Sequence, residues 1–178
     1  MLISSHFLLA EVTKSDTALR LGINNSLPDV LLGAAKATAE AILEPCREQF
    51  SIPFSPNSWY RCEELERAIC WGGDDIRSAF AKWCIKRGKM VDHLSWAEYF
   101  SIKQHPKGNA VDFEIPGVTN IDLAKWILNT LEFDQLILEF WDEQDPTAGW
   151  VHASFVAVDQ NRREVLRMNG RGVWQGLP

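Results

Sequence analysis

The run His105-Pro106-Lys107-Gly108-Asn109-Ala110-Val111-Asp112-Phe113 marks the point where the chain changes character. Before it, apolar residues recur at intervals of three and four. After it they alternate, so helices lead and strands follow, an order that favours an α+β fold with a small antiparallel sheet. Within the run, Gly108 permits a tight turn and Ala110 leaves room beside a strand. Asp112 falls mid-strand, on the face opposite Val111 and Phe113. A lone carboxylate there is expensive unless it is paired or bound to a metal. His152 sits in a second strand pattern, Trp150-Val151-His152-Ala153-Ser154-Phe155. Two histidines and one aspartate make three ligands, which suits a catalytic zinc that keeps its fourth position for water. A hydrogen-bonded His–Asp pair in the core accounts for the same residues, and the chain has neither HExxH nor a CxxC pair.

Outward from this run, the alternation predicts strands over 110–115, 135–140, 150–158 and 164–168, with a helix over 121–131 that Asn120 caps. The Gly-rich tail 169–178 reads as a surface loop. Upstream, Ser15 is an N-cap for a short helix over 16–21 that Gly22 ends. Pro28 opens a longer helix on which Leu31, Leu32, Ala35, Ala39, Ile42, Leu43 and Cys46 repeat at helical spacing, reaching about Phe50 with a bend at Pro45. Residues 53–60 carry two prolines and read as a loop or irregular edge strand. Helices are expected over 63–71, 75–87 and 96–103, separated by Gly72-Gly73 and Gly88.

At 178 residues the chain is expected to form one domain. A charge of −6 argues against a nucleic-acid partner, because neutralising phosphates takes surplus Lys and Arg. No apolar run is long enough to span a bilayer. Met1 to Ala10 lacks a basic residue ahead of its apolar stretch, so synthesis in a cytoplasm without a signal peptide is expected. Cys46, Cys62, Cys70 and Cys84 read as buried thiols, and the eight scattered tryptophans as core and cleft walls.

His105, Gly108, Ala110 and Asp112 reproduce the HxxGxAxD motif of the zinc D-Ala-D-Ala carboxypeptidase-like peptidases, the LAS group that includes many bacteriophage endolysins. The run 134–140 followed by Trp150-Val151-His152 resembles that group's second strand pair. Ser58-Trp59-Tyr60-Arg61-Cys62 resembles its SGYRS segment, and Ser5-His6-Phe7 with Ser15-Asp16-Thr17-Ala18 is similar to the N-terminal module of phage-encoded members. The resemblance spans roughly residues 4–168. It implies one Zn2+ held by His105, Asp112 and His152, an Arg61 that fixes a substrate carboxylate, and hydrolysis of peptide bonds in peptidoglycan stem peptides. The cut would be either removal of a terminal D-Ala or an endolysin-type internal cleavage. An exposed ion pair is the structural alternative for Arg61.

The sequence also departs from that pattern. Many relatives place an acid three residues before the last histidine, where this chain has Gly149. If residues 135–140 and 150–157 pair as an antiparallel hairpin, Glu139 can lie directly across from His152, within about 5 Å at Cβ, and serve as the general base. Glu143 and Asp145 in the intervening loop are its competitors, and a hydrogen bond to His152 is its structural alternative. The group's serine two before the first histidine is Lys103, its SGYRS glycine is Trp59 and its final serine Cys62. A helical insertion over about 72–102 brings Trp83, Trp96, Tyr99 and Phe100, expected as core of the extra helices or as a wall over the site. His6 and His93 read as structural. A reading of another class is a noncatalytic virion or tail protein that reuses the fold with a structural zinc, its partners being other phage virion proteins. The site of action is then the bacterial cell wall or the phage particle.

Overall fold

The structure, a computed structural model, describes residues 1–72 and 76–178. It is an α+β fold in which helices precede a five-stranded sheet. The short helix α1 (Leu9–Thr13) is followed by α2 (Asp16–Leu21). Ser15 caps α2 by accepting from Ala18 N at 3.2 Å, and Gly22 closes it with a left-handed φ of 67°, as the sequence predicts.

The long helix after Pro28 comprises α3 (Leu32–Thr38), a π turn over Ala39–Leu43, and α4 (Glu44–Phe50). The irregularity falls just ahead of Pro45. Proline has no N–H to give and crowds the carbonyl four residues back, and here the Glu44 N–H reaches back to Ala39 O instead. Ala35, Ala39, Ile42, Leu43 and Cys46 are all fully buried, so the apolar repeat does face the core.

Three further helices precede the sheet: α5 (Glu63–Cys70), α6 (Ala79–Lys86) and α7 (His93–Ser101). The expected start of α6 at Asp75 lies outside the described residues. Helix α7 begins three residues earlier than expected because Asp92 caps it, accepting from Ser95 N at 2.8 Å. Phe80, Cys84, Trp96 and Tyr99 of the insertion pack with Cys70 of α5 into a core of their own, with Trp83 and Phe100 against it. The inserted aromatics are therefore core, as the simpler expectation had it.

Strands β1 (Ala110–Phe113), β2 (Gln135–Glu139), β3 (Trp150–Ser154), β4 (Glu164–Asn169) and β5 (Gly172–Gln175) lie in the order β1-β3-β2-β4-β5. The sheet is mostly antiparallel, but β4 runs parallel to β2. The tail is not simply a loop, since β5 pairs with β4 through it.

Helix α8 (Asn120–Thr130) connects β1 to β2. Its cap is Thr119, one residue before the expected Asn120. Asn120 is buried and donates to the carbonyls of Thr147, Ala148 and Gly149, which ties down the chain entering β3.

One sheet face, with Val111, Phe113, Leu136, Leu138, Val151 and Ala153, closes the main core against the helices. Burying six such side chains supplies on the order of 1.5–3 kcal/mol for each of the larger ones. The opposite face carries Asp112, His152, Ile137, Trp150 and Glu139. No helix among the described residues is long and apolar enough to cross a membrane.

Candidate metal centre

Three strand and turn positions converge on the polar face. His105 opens a 3-10 turn, His105–Lys107, that Gly108 ends at φ 74°. A Cβ on Gly108 would lie 3.4 Å from Ala35 N, so α3 packs directly on the turn. Thr38 Oγ1 and Trp59 Nε1 both donate to Gly108 O, at 3.1 and 3.3 Å. Trp59 thus braces the turn with a side chain that a glycine at that position could not supply, and it is fully buried. The loop 53–60 runs beside β1, with Asp112 N donating to Ser58 O at 2.8 Å.

The β1–β3 register sets Asp112 directly opposite His152. Asp112 Oδ1 lies 2.8 Å from His152 Nδ1 and 3.3 Å from His105 Nε2, and the two rings meet edge-on at 5.1 Å. One donor atom from each residue falls within 4.8 Å of the others, and all three side chains are buried. His105 Nδ1 is 2.6 Å from Trp59 O, which fixes that nitrogen as the N–H and leaves the Nε2 lone pair facing Asp112. His152 Nε2 is buried without a partner among the described residues.

Electrostatics keep His105 and Asp112 in ligand form. Burial pushes the His105 imidazole below its ordinary pKa, and Arg61 adds to that, so the ring stays neutral. Burial alone would raise Asp112, but the contacts with His105 and His152 outweigh it and hold the carboxyl well below the usual range. A neutral imidazole at His105 and a carboxylate at Asp112 are the forms in which those two residues bind a divalent ion. Tetrahedral ligands about 2.0–2.2 Å from zinc stand about 3.3 Å apart, which matches the His105–Asp112 spacing. The group could therefore hold a metal ion.

Arg61 is neither exposed nor free. Its Nη2 donates to Asp112 Oδ2 at 2.5 Å, its Nε to Ser58 Oγ at 2.8 Å, and Nη1 is 3.6 Å from Glu66 Oε2. Glu66, only 1% exposed, also sits 3.6 Å from Lys103 Nζ and accepts from Cys70 Sγ at 3.1 Å. The sequence reading missed Glu66. An acid four residues before Cys70, on the apolar side of α5, is the signal that marks it as buried.

Glu139 does not lie directly across from His152. Its partner is Trp150, while Ile137 faces His152. The hairpin register is two residues from the expected one, which preserves the face, so Glu139 stands diagonal to His152 at about 7–8 Å rather than about 5 Å. Burial pushes its carboxyl up to about 7; the nearby Asp112 charge adds to this, and His152, Arg61 and Lys103 oppose it. Of its competitors, Glu143 is exposed, and Asp145 accepts from Thr147 N and Oγ1 in its own loop.

Gly149 owes its identity to the hairpin. Its φ is 76°, and a Cβ there would stand 1.9 Å from Glu139 O. No side chain, acidic or otherwise, fits at that position on this backbone.

No protein-family model and no curated protein matches the chain.

His6 donates through its backbone to Glu44 and pairs with it at 2.6 Å through Nδ1, and His93 packs on Trp71 and Arg67, so neither joins the centre. The four cysteines are free thiols, with Cys46, Cys70 and Cys84 buried and Cys62 partly exposed.

Proposed function

We propose that the chain is a zinc-dependent peptidase that hydrolyses peptide bonds of peptidoglycan stem peptides. The observation that carries the reading is the convergence of neutral His105, ionised Asp112 and His152 with Glu139, a carboxyl titrating at about 7, on one sheet face. The HxxGxAxD resemblance supplies the substrate class.

In this reading His105, Asp112 and His152 hold the ion, and Trp59 O and the Arg61 guanidinium orient two of those ligands. Bound there, zinc supplies a Lewis acid that acidifies water and polarises a carbonyl. Glu139 takes the proton of the attacking water and returns it to the departing amine, so that one C–N bond breaks and one C–O bond forms. A carboxyl poised near 7 suits both halves of that transfer. The resemblance gives Arg61 the role of fixing a substrate carboxylate; its guanidinium is already held by Asp112 and Ser58, so a substrate would have to take over the longer 3.6 Å contact with Glu66.

The test is mass spectrometry of purified peptidoglycan fragments after incubation with the zinc-loaded protein, beside His105→Ala and Glu139→Gln. Loss of one terminal D-Ala or an internal stem cut in the wild type alone is the expected outcome. Fragments identical to those from His105→Ala would sink the peptidase and leave the virion-component reading. Turnover retained in Glu139→Gln would move the base to Glu143 or Asp145.

A further inference from the structure

Between the end of β1 and the start of α8 the chain turns, and this turn and the loop 53–60 bound a concavity of about 330 Å³. Phe54 and the turn residues Ile115, Pro116, Gly117 and Val118 supply its apolar wall. Its polar side chains are those of Ser55, Asn57, Glu114, Asn120 and Thr147, so the lining holds one carboxylate and no cation.

The side-chain donors of that lining are already committed. Ser55 Oγ donates to Glu11 Oε1, Thr147 Oγ1 to Asp145 Oδ1 at 2.7 Å, and Asn57 Nδ2 to Glu114 Oε2 at 2.8 Å. Asn120 Nδ2 is spent on the carbonyls of Thr147, Ala148 and Gly149, at 3.3, 3.2 and 3.0 Å. Those three acceptors fix which way the amide points, because a flipped Oδ1 would meet carbonyl oxygens. Asn120 Oδ1 is thereby turned away from them, and it is buried with no partner among the described residues on a residue only 1% exposed. A buried acceptor left without a donor costs free energy, so it calls for a partner. The first N–H groups of α8 do not supply one, since those of Asn120 and Asp122 go to Pro146 O and Thr119 Oγ1.

We infer that this pocket binds an aliphatic primary ammonium group, of the kind a lysine side chain carries. Its three N–H bonds suit side chains with only lone pairs left to offer, and its charge suits Glu114. Its alkyl stem suits the wall of Phe54, Ile115, Pro116 and Val118. A carboxylate or phosphate would find no uncommitted side-chain donor and would face Glu114. A bare metal ion needs oxygen ligands on all sides and would leave the apolar wall unused. The inference stands apart from the peptidase reading, because no residue of the His105, Asp112 and His152 centre takes part in it.

The test is n-butylammonium chloride titrated into the full chain, followed by backbone and side-chain amide NMR, beside sodium butyrate and calcium chloride. Saturable shifts centred on residues 54–57, 114–120 and 147 are expected from the amine, with the Asn120 side-chain amide among them, and none there from butyrate or calcium. Binding should be about tenfold weaker in Glu114→Gln, as the loss of one charge-assisted hydrogen bond gives. Glutamine still accepts from Asn57, so the melting temperature of that variant should hold, which separates lost binding from misfolding. No saturable shift from the amine, equal shifts from butyrate or calcium, or undiminished binding by a folded Glu114→Gln overturns the ammonium pocket. Should that variant not fold, the contrast between amine and butyrate in the wild type decides alone.

Discussion

At position 139 burial and the neighbouring Asp112 charge favour the protonated carboxyl, and the result is titration at about 7 instead of 4.5. Folding therefore favours the proton. Below pH 4.5 both states carry it and the stability is fully present. As pH rises from 4.5 to 7 the unfolded chain releases it first, and stability is lost. The loss is about 3 kcal/mol at most above pH 7. In the metal-free protein, Glu139→Gln should raise the melting temperature at pH 8 and leave it unchanged near pH 4, as calorimetry at the two pH values would show. An equal effect at both would mean that Glu139 is ordinary and solvated. Asp112 and His152 were legible in the sequence as residues, since an acid and an imidazole on otherwise apolar strands need a reason to be there. Arg61 was legible as important but not as Asp112's partner, because a contact across 51 positions leaves no local trace.

Elements show how far pattern reading extends. Alternation located β1 to β4, and the face of each strand followed from it, because a one-residue slip would have put Asp112 in the core. Register was not legible. The hairpin closes through left-handed Phe140 and Gly149, and no local rule reveals that Glu139 pairs with Trp150. The parallel β2–β4 pair escaped for the same reason, since its partners are distant in sequence; β5 is the near partner of β4, but its four residues start at Gly172 inside a Gly-rich tail that reads as a loop. Gly149→Asp, which places an acid three residues before His152, should cost about 2 kcal/mol or more, since the backbone must move out of the way of Glu139 O. Its urea midpoint measures this, and an unchanged midpoint would refute the close approach. In the insertion, Phe80→Ala should cost about 3–5 kcal/mol of α6–α7 stability. Zinc stoichiometry should survive that change, because Phe80 belongs to a core separate from the one beneath the sheet.

For the whole molecule, two cores divide the work. The larger fixes β1 and β3 against α3 and α8 and so fixes the triad, while the smaller supports α5 and places Glu66 and Lys103 behind Arg61. Buried charges of both signs meet at Asp112, which binds the fold's stability to the centre's integrity. Any ion that binds the folded chain alone must then stabilise it by mass action, about 2.7 kcal/mol at a hundredfold excess over Kd. The most direct measurement is the zinc stoichiometry and affinity of the metal-free wild type by competition with a chromogenic chelator, beside His105→Ala, Asp112→Ala and His152→Ala. The account predicts one tightly bound zinc per chain, lost in each variant while circular dichroism confirms the fold. A wild type that binds no zinc, or folded variants that bind it equally well, would contradict it.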